Sequence, residues 1–140
     1  MKKHALTLIG VLSLLMAAGS AYAQTIHVTG DIPFSFIVNK ETLPAGQYDF
    51  KSAGLSDGKI ILVRDSQGKA LATVNNIRAE SMATSEKTKL VFVRYGSRYF
   101  LHQIWVAGEK AGQQLPKSPR ESEVAMDYTP STVVVLAQLK

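Results

Sequence analysis

Gly54-Leu55-Ser56-Asp57-Gly58 spells G-x-S-x-G, the spacing of a hydrolase nucleophile elbow. An elbow needs a strand entering and a helix leaving the serine, so that its hydroxyl stands exposed beside backbone N–H donors. Here Lys59-Ile60-Ile61-Leu62-Val63 follows, an apolar, isoleucine- and valine-rich run that reads as a strand. Turn geometry alone then accounts for glycine, serine and aspartate at this place. Beyond residue 23 the histidines are His27 and His102, and no partners at metal-ligand spacing accompany them. Asp57 and Asp65 read as turn residues, while Glu121 and Glu123 fall at a helix start, so no acid pair is set up for proton transfer. The sequence therefore assigns no catalytic residue, no metal ligand and no cofactor.

A second set of residues suits binding rather than catalysis: Arg94, Tyr95, Arg98, Tyr99, Phe100 and Trp105. A basic and aromatic sheet face can stack bases or sugars. The same residue types also form ordinary cross-strand pairs through cation–π contact, for example Arg94 with Tyr99. Strand alternation places Tyr95, Arg98 and Phe100 on one face, and Arg94, Tyr99 and Trp105 on the other. Within this divided patch, Tyr95, Arg98, Tyr99 and Trp105 are the candidate binding residues.

These residues belong to the best-defined element, a hairpin spanning Lys87–Val106. Gly96-Ser97 suits a two-residue turn with glycine first. That register sets Tyr95 opposite Arg98, Arg94 opposite Tyr99, Val93 opposite Phe100, Phe92 opposite Leu101 and Val91 opposite His102. Both faces are apolar, which predicts a central, doubly covered position. Before it, strands are expected over Ile32–Val38 (with Phe34, Phe36 and Val38 on one face), Gln47–Ala53, Lys59–Arg64 and Lys69–Arg78. Leu43-Pro44-Ala45-Gly46 suggests a type I turn, and Asp65-Ser66-Gln67-Gly68 a hairpin loop with Gly68 left-handed. After it, Ser118-Pro119-Arg120-Glu121 opens a two-turn helix reaching Met126, with Ser118 as N-cap. Ser131–Leu139 reads as a last strand, apolar on both faces and expected inside the sheet. About eight strands and one short helix near the C-terminus predict a small antiparallel β-sandwich or partly closed barrel.

Met1–Ala23 has the pattern of a cleavable export signal: Lys2 and Lys3, the apolar stretch Leu6–Met16, then Ala21-Tyr22-Ala23. The apolar part is shorter than the ~20 residues of a spanning helix. Removing 23 of 140 residues leaves 117 for one domain, 24–140, with no membrane span expected. Loss of the two lysines lowers the formal charge from +5 to +3, too mild for a nucleic-acid footprint. The absence of cysteine leaves no lipid-anchor residue and no disulfide, which suits a periplasmic or extracellular domain large enough to hold its own core.

Several segments together resemble a group of small exported proteins abundant in acidobacteria. They are Ile32-Pro33-Phe34-Ser35-Phe36, Leu43-Pro44-Ala45-Gly46-Gln47-Tyr48, Lys89-Leu90-Val91-Phe92, Arg94-Tyr95-Gly96, Arg98-Tyr99-Phe100-Leu101 and Ile104-Trp105, followed by Leu115-Pro116-Lys117. Ser35 departs from the acidic residue of many members. The resemblance implies export and a β fold and carries no functional residue over. The sequence thus points to a non-enzymatic exported domain that binds an envelope protein or polysaccharide. The alternative is an envelope assembly component that self-associates through an edge strand.

Overall fold

Alternating apolar residues make the strands of this chain, and proline, asparagine and glycine decide where they break. The computed structural model describes residues 25–53 and 59–140; the expected export signal Met1–Ala23 and the Gly54–Gly58 motif lie outside the described residues. Two sheets face each other as an all-β sandwich. The first runs β12 (Gln138–Leu139), β1 (His27–Ile32), β4 (Gly46–Ser52), β5 (Ile60–Asp65), β6 (Ala70–Asn75). The second runs β11 (Ser131–Leu136), β8 (Lys89–Tyr95), β9 (Arg98–Trp105), β10 (Ala111–Gln114), β7 (Ile77–Glu80). The hairpin of β2 (Phe36–Val38) and β3 (Glu41–Leu43) joins the second sheet through a parallel contact of Ile37 with Phe100. Val28, Phe50, Ile61 and Val63 from one sheet meet Phe36, Leu90, Phe92, Leu101 and Ile104 from the other in a shared core.

The expected eight strands become twelve among the described residues because several runs change sheets midway and because β3 and β10 form in segments between the expected strands. Ile32–Val38 is not one strand: Ile32 ends β1, Pro33–Ser35 bend, and Phe36 begins β2 in the opposite sheet. Pro33 has no N–H to continue a ladder, which makes it suited to the break. Lys69–Arg78 divides likewise, with the buried Asn76 between β6 and β7. Leu43-Pro44-Ala45-Gly46, where a type I turn is expected, is a sheet-to-sheet corner, since β3 and β4 lie in different sheets. Tyr48 clamps that corner by donating its hydroxyl to the Pro44 carbonyl at 2.6 Å. The tight turn nearby falls one strand earlier, at Asn39, whose φ of 56° is a conformation asparagine tolerates. Gly68 does take the expected left-handed conformation, at φ 80°.

The β8–β9 hairpin holds the expected register from its turn to Phe92–Leu101 and then departs from it. Val91 pairs with Gln103, not His102, so His102 is the extra residue of a β-bulge. The bulge sits where the far edge of β9 changes partners. Up to Phe100 that edge meets β2; from His102, whose carbonyl accepts from Leu115 N–H at 2.8 Å, it meets the β10 segment. Were His102 paired as an ordinary residue of the ladder, Ile104 would face away from the core. With the bulge, Leu101 and Ile104 both point inward, and Trp105 moves to the face of Tyr95 and Phe100. The expectation that Trp105 shares a face with Tyr99 is corrected accordingly.

Helix α1 (Pro119–Ala125) starts as expected, with Ser118 Oγ accepting from Glu121 N–H. It covers part of the outer face of the second sheet, where Val124 meets Ile37, Tyr95 and Phe100. Strand β11 corrects another expectation, for it lies at the sheet margin and pairs with β8 alone. Two apolar faces require cover above and below a strand, not a neighbour on each side.

The bulge predicts unequal effects of substitution and deletion at one position. His102→Thr keeps the residue count and should cost under about 1 kcal/mol, as for a partly exposed position outside the core. Deleting His102 leaves Leu101-Gln103-Ile104 in regular alternation with the same β8 partners, but removes the carbonyl that accepts from the buried Leu115 N–H, and should cost about 1–3 kcal/mol. Urea denaturation of the two variants measures the difference.

Candidate functional site

Beyond α1, the outer face of the second sheet is open to a groove of about 660 Å³. Its floor comes from alternate residues of three strands: Thr132, Val134 and Leu136 of β11, Lys89 and Val91 of β8, and Gln103 and Trp105 of β9. Segment 81–87 forms the opposite wall. That wall is tied down: Ser81 N–H donates to the Lys110 carbonyl, and Ser85 exchanges backbone bonds with Glu109 and Gly108.

Side-chain hydrogen bonds fix the floor. Trp105 Nε1–H donates to Gln103 Oε1 at 2.9 Å, and Gln103 Nε2 donates to Gln114 Oε1 at 3.1 Å. The indole lies against Gly112, where a Cβ would stand 2.7 Å from the ring and 2.9 Å from the Ile104 carbonyl. Only glycine lets the ring lie this low. At 9% exposure Trp105 is a floor, not a protruding platform.

The four candidate binding residues are not brought together. Trp105 alone lines the groove. Tyr95 is 3% exposed beneath α1 and donates its hydroxyl to the buried Glu121 carboxylate at 3.0 Å. Burial, then the hydrogen bond and charge of Glu121, push the Tyr95 hydroxyl up to about 12. Tyr99 faces the core, stacked on Phe34 with ring centres 3.8 Å apart and with the Arg94 guanidinium 5.6 Å from its centre. The Arg94–Tyr99 cross-strand pair therefore forms as expected. Arg98 is exposed beside the turn.

Among the described residues, no three His, Asp or Glu side chains gather to hold a metal. His27 Nε2 lies 3.7 Å from Asp49, which also accepts from Lys140 Nζ at 2.8 Å. Burial works to raise the Asp49 carboxyl, but hydrogen bonds from Lys140 and Thr29 and the nearby positive charges bring it below its ordinary value. Ser56 lies outside the described residues; β5, which follows it, is a strand. No described helix is long and apolar enough to cross a membrane.

The sheet margins differ sharply. Strand β12 is two residues long. Strand β7 is four residues long and carries an Arg78–Glu80 ion pair. Strand β6 has the Asn39 amide reaching its Thr73 carbonyl at 3.5 Å. Strand β11 offers six uncharged residues, with Val134 51% and Leu136 60% exposed. Ala137 N–H donates to the Thr88 carbonyl, so the antiparallel alternation turns the N–H and C=O groups of Thr132, Val134 and Leu136 away from β8. Among the described residues no backbone bond is made to that side. Sequence reading missed this margin because Val133-Val134-Val135-Leu136 looked like interior strand.

Comparison with protein-family models, curated proteins and solved structures finds no match to this chain.

Two measurements check the site's supports. Gly112→Ala should destabilise by about 1–3 kcal/mol, the usual cost of overpacking, and alter Trp105 emission by lifting the ring. Tyr95→Phe tests the buried pair. A hydroxyl raised in the folded state stabilises fully below pH 10 and loses that contribution as pH rises from about 10 to about 12. The variant should therefore lose stability at pH 7, by about 1–3 kcal/mol for a bond to a charged group, and show a shallower alkaline decline. Part of the decline should persist, because burial and then Asp65 also raise Tyr48.

Proposed function

We propose that this domain is an exported, non-enzymatic protein-binding module of the periplasm or exterior. It takes up an extended segment of a partner along β11, with that segment's alternate side chains entering the neighbouring groove. The observation that carries this reading is the margin of β11: uncharged, half-exposed at Val134 and Leu136, and presenting unpaired backbone groups among the described residues. Strand addition draws affinity from main-chain hydrogen bonds and selectivity from pockets beside the edge. The groove supplies such pockets, with an apolar floor at Val91, Trp105, Val134 and Leu136 and a polar side at Lys89, Gln103 and Thr132. Export rests on the Met1–Ala23 pattern. A polysaccharide ligand has less support, since sugar stacking uses open aromatic faces while Tyr95 and Trp105 are 3% and 9% exposed.

The single tryptophan of the chain lies on the groove floor and reports on its occupancy. Titration with end-blocked peptides of alternating valine and threonine should shift Trp105 emission saturably. Val134→Pro removes one outward N–H without touching the β8 ladder, and should abolish that shift while leaving the circular dichroism spectrum unchanged. A saturable response to oligosaccharides, with none to peptides, would overturn the reading.

A further inference from the structure

Resting on the strand-addition reading, we infer that the segment β11 accepts is the β11 of a second copy of this chain. Only residues with outward backbone groups can exchange hydrogen bonds across the margin, which restricts pairing to Thr132, Val134 and Leu136. The three are evenly spaced about Val134. An antiparallel pair centred there matches Val134 with Val134 of the second copy, and Thr132 with its Leu136, so every outward group finds a partner. The two-fold axis passes through Val134, and the interface is isologous and closes.

Charge and length favour the same occupant. Ser131-Thr132-Val133-Val134-Val135-Leu136 has no ionisable side chain, so the strand meets its own copy without like-charge repulsion. Pro130, lacking an N–H, bounds the ladder at one end, and the departure of the chain into β12 at Gln138 bounds it at the other. Pairing would join the two five-strand paths into one sheet, β7 to β7. Its new margins are the short, ion-paired β7 strands, which discourage further addition. The half-exposed Val134 and Leu136 side chains then flank the axis, and the grooves of the two copies open side by side on one face.

The chain contains no cysteine, so one engineered thiol reads the register directly. Directly paired residues have Cα atoms ~5.5 Å apart in a hydrogen-bonded pair, within disulfide range. Under mild oxidation Val134→Cys should give a covalent dimer in high yield, and Ser131→Cys little or none. Sedimentation of the unmodified protein should show concentration-dependent dimers, lost in Val134→Pro and Val134→Lys with the circular dichroism spectrum retained. A monomer at all concentrations up to the solubility limit, with no cross-linking of Val134→Cys, would overturn self-pairing. If valine–threonine peptides still shifted Trp105 emission in that case, the strand-addition reading would stand with another partner; if they failed too, both would fall.

Discussion

One extra residue in β9 governs what the two faces of the second sheet present. A β-strand alternates strictly, so absorbing His102 in a bulge instead of pairing it sets the side of every residue beyond it opposite to what unbroken alternation would give. That reversal lets Leu101 and Ile104 both reach the core, although an odd number of positions separates them. It also delivers Gln103 and Trp105 to the outer face, where they meet Gln114 and the backbone of Gly112. The groove, the glutamine relay on its floor and the low seat of the indole all depend on that change of parity. The bulge is anchored from outside by the Leu115 N–H, at the point where β2 gives way to the β10 segment along β9.

The aromatic and proline-containing motifs of the sequence have packing work in this fold. Ile32-Pro33-Phe34 ends one strand, changes sheets and stacks Phe34 on Tyr99. Leu43-Pro44-Ala45-Gly46-Gln47-Tyr48 turns the return corner and clamps it with the Tyr48 hydroxyl. Arg94-Tyr95-Gly96 and Arg98-Tyr99-Phe100-Leu101 spread their side chains over both faces, Tyr95 and Phe100 beneath α1 and Tyr99 and Leu101 toward the core. These aromatic residues hold the scaffold together, and of the candidates only Trp105 is shared with the groove. A pattern dense in arginine and tyrosine drew attention as a ligand surface in one dimension. In three dimensions Tyr95, Tyr99 and Phe100 are consumed by packing, while Arg98 stays exposed beside the turn.

The sandwich class, the helix start at Ser118, the Gly68 loop and the hairpin register near its turn were legible because each rests on local chemistry. N-caps, left-handed glycines and two-residue turns are decided within a few residues. Sheet changes at Pro33 and Asn76 were not legible, since an unbroken apolar run looks alike whether or not it crosses between layers. The bulge was hidden for a similar reason: Leu101-His102-Gln103-Ile104 carries no glycine or proline to mark it. Val133 to Leu136 satisfied both parities and so read as interior strand. Its position is settled by the number of neighbours beside it, which side-chain pattern does not encode.

That last distinction explains why the margin of β11 matters more than its exposed area. A flexible segment that becomes a strand on binding must first give up backbone freedom, at about 1–2 kcal/mol per residue. Here β8 already holds Ser131–Leu136 extended through a six-residue register, and the crossing at Ala137 fixes the far end. The ordering cost is met in folding, so a second strand meets a template with its donors and acceptors in line. The other four margins among the described residues, β12, β7, β6 and the three-residue β3 with its Glu41, are short, charged or contacted by a neighbouring turn, each a recognised way of discouraging strand addition. Two features that would blunt β11, a charge among its outward residues or a proline at Val134, are absent from its sequence. The same fold that spends its hairpin aromatic residues on packing thus leaves, among the described residues, a preorganised and uncharged strand at a sheet margin, where the proposed partner strand would add.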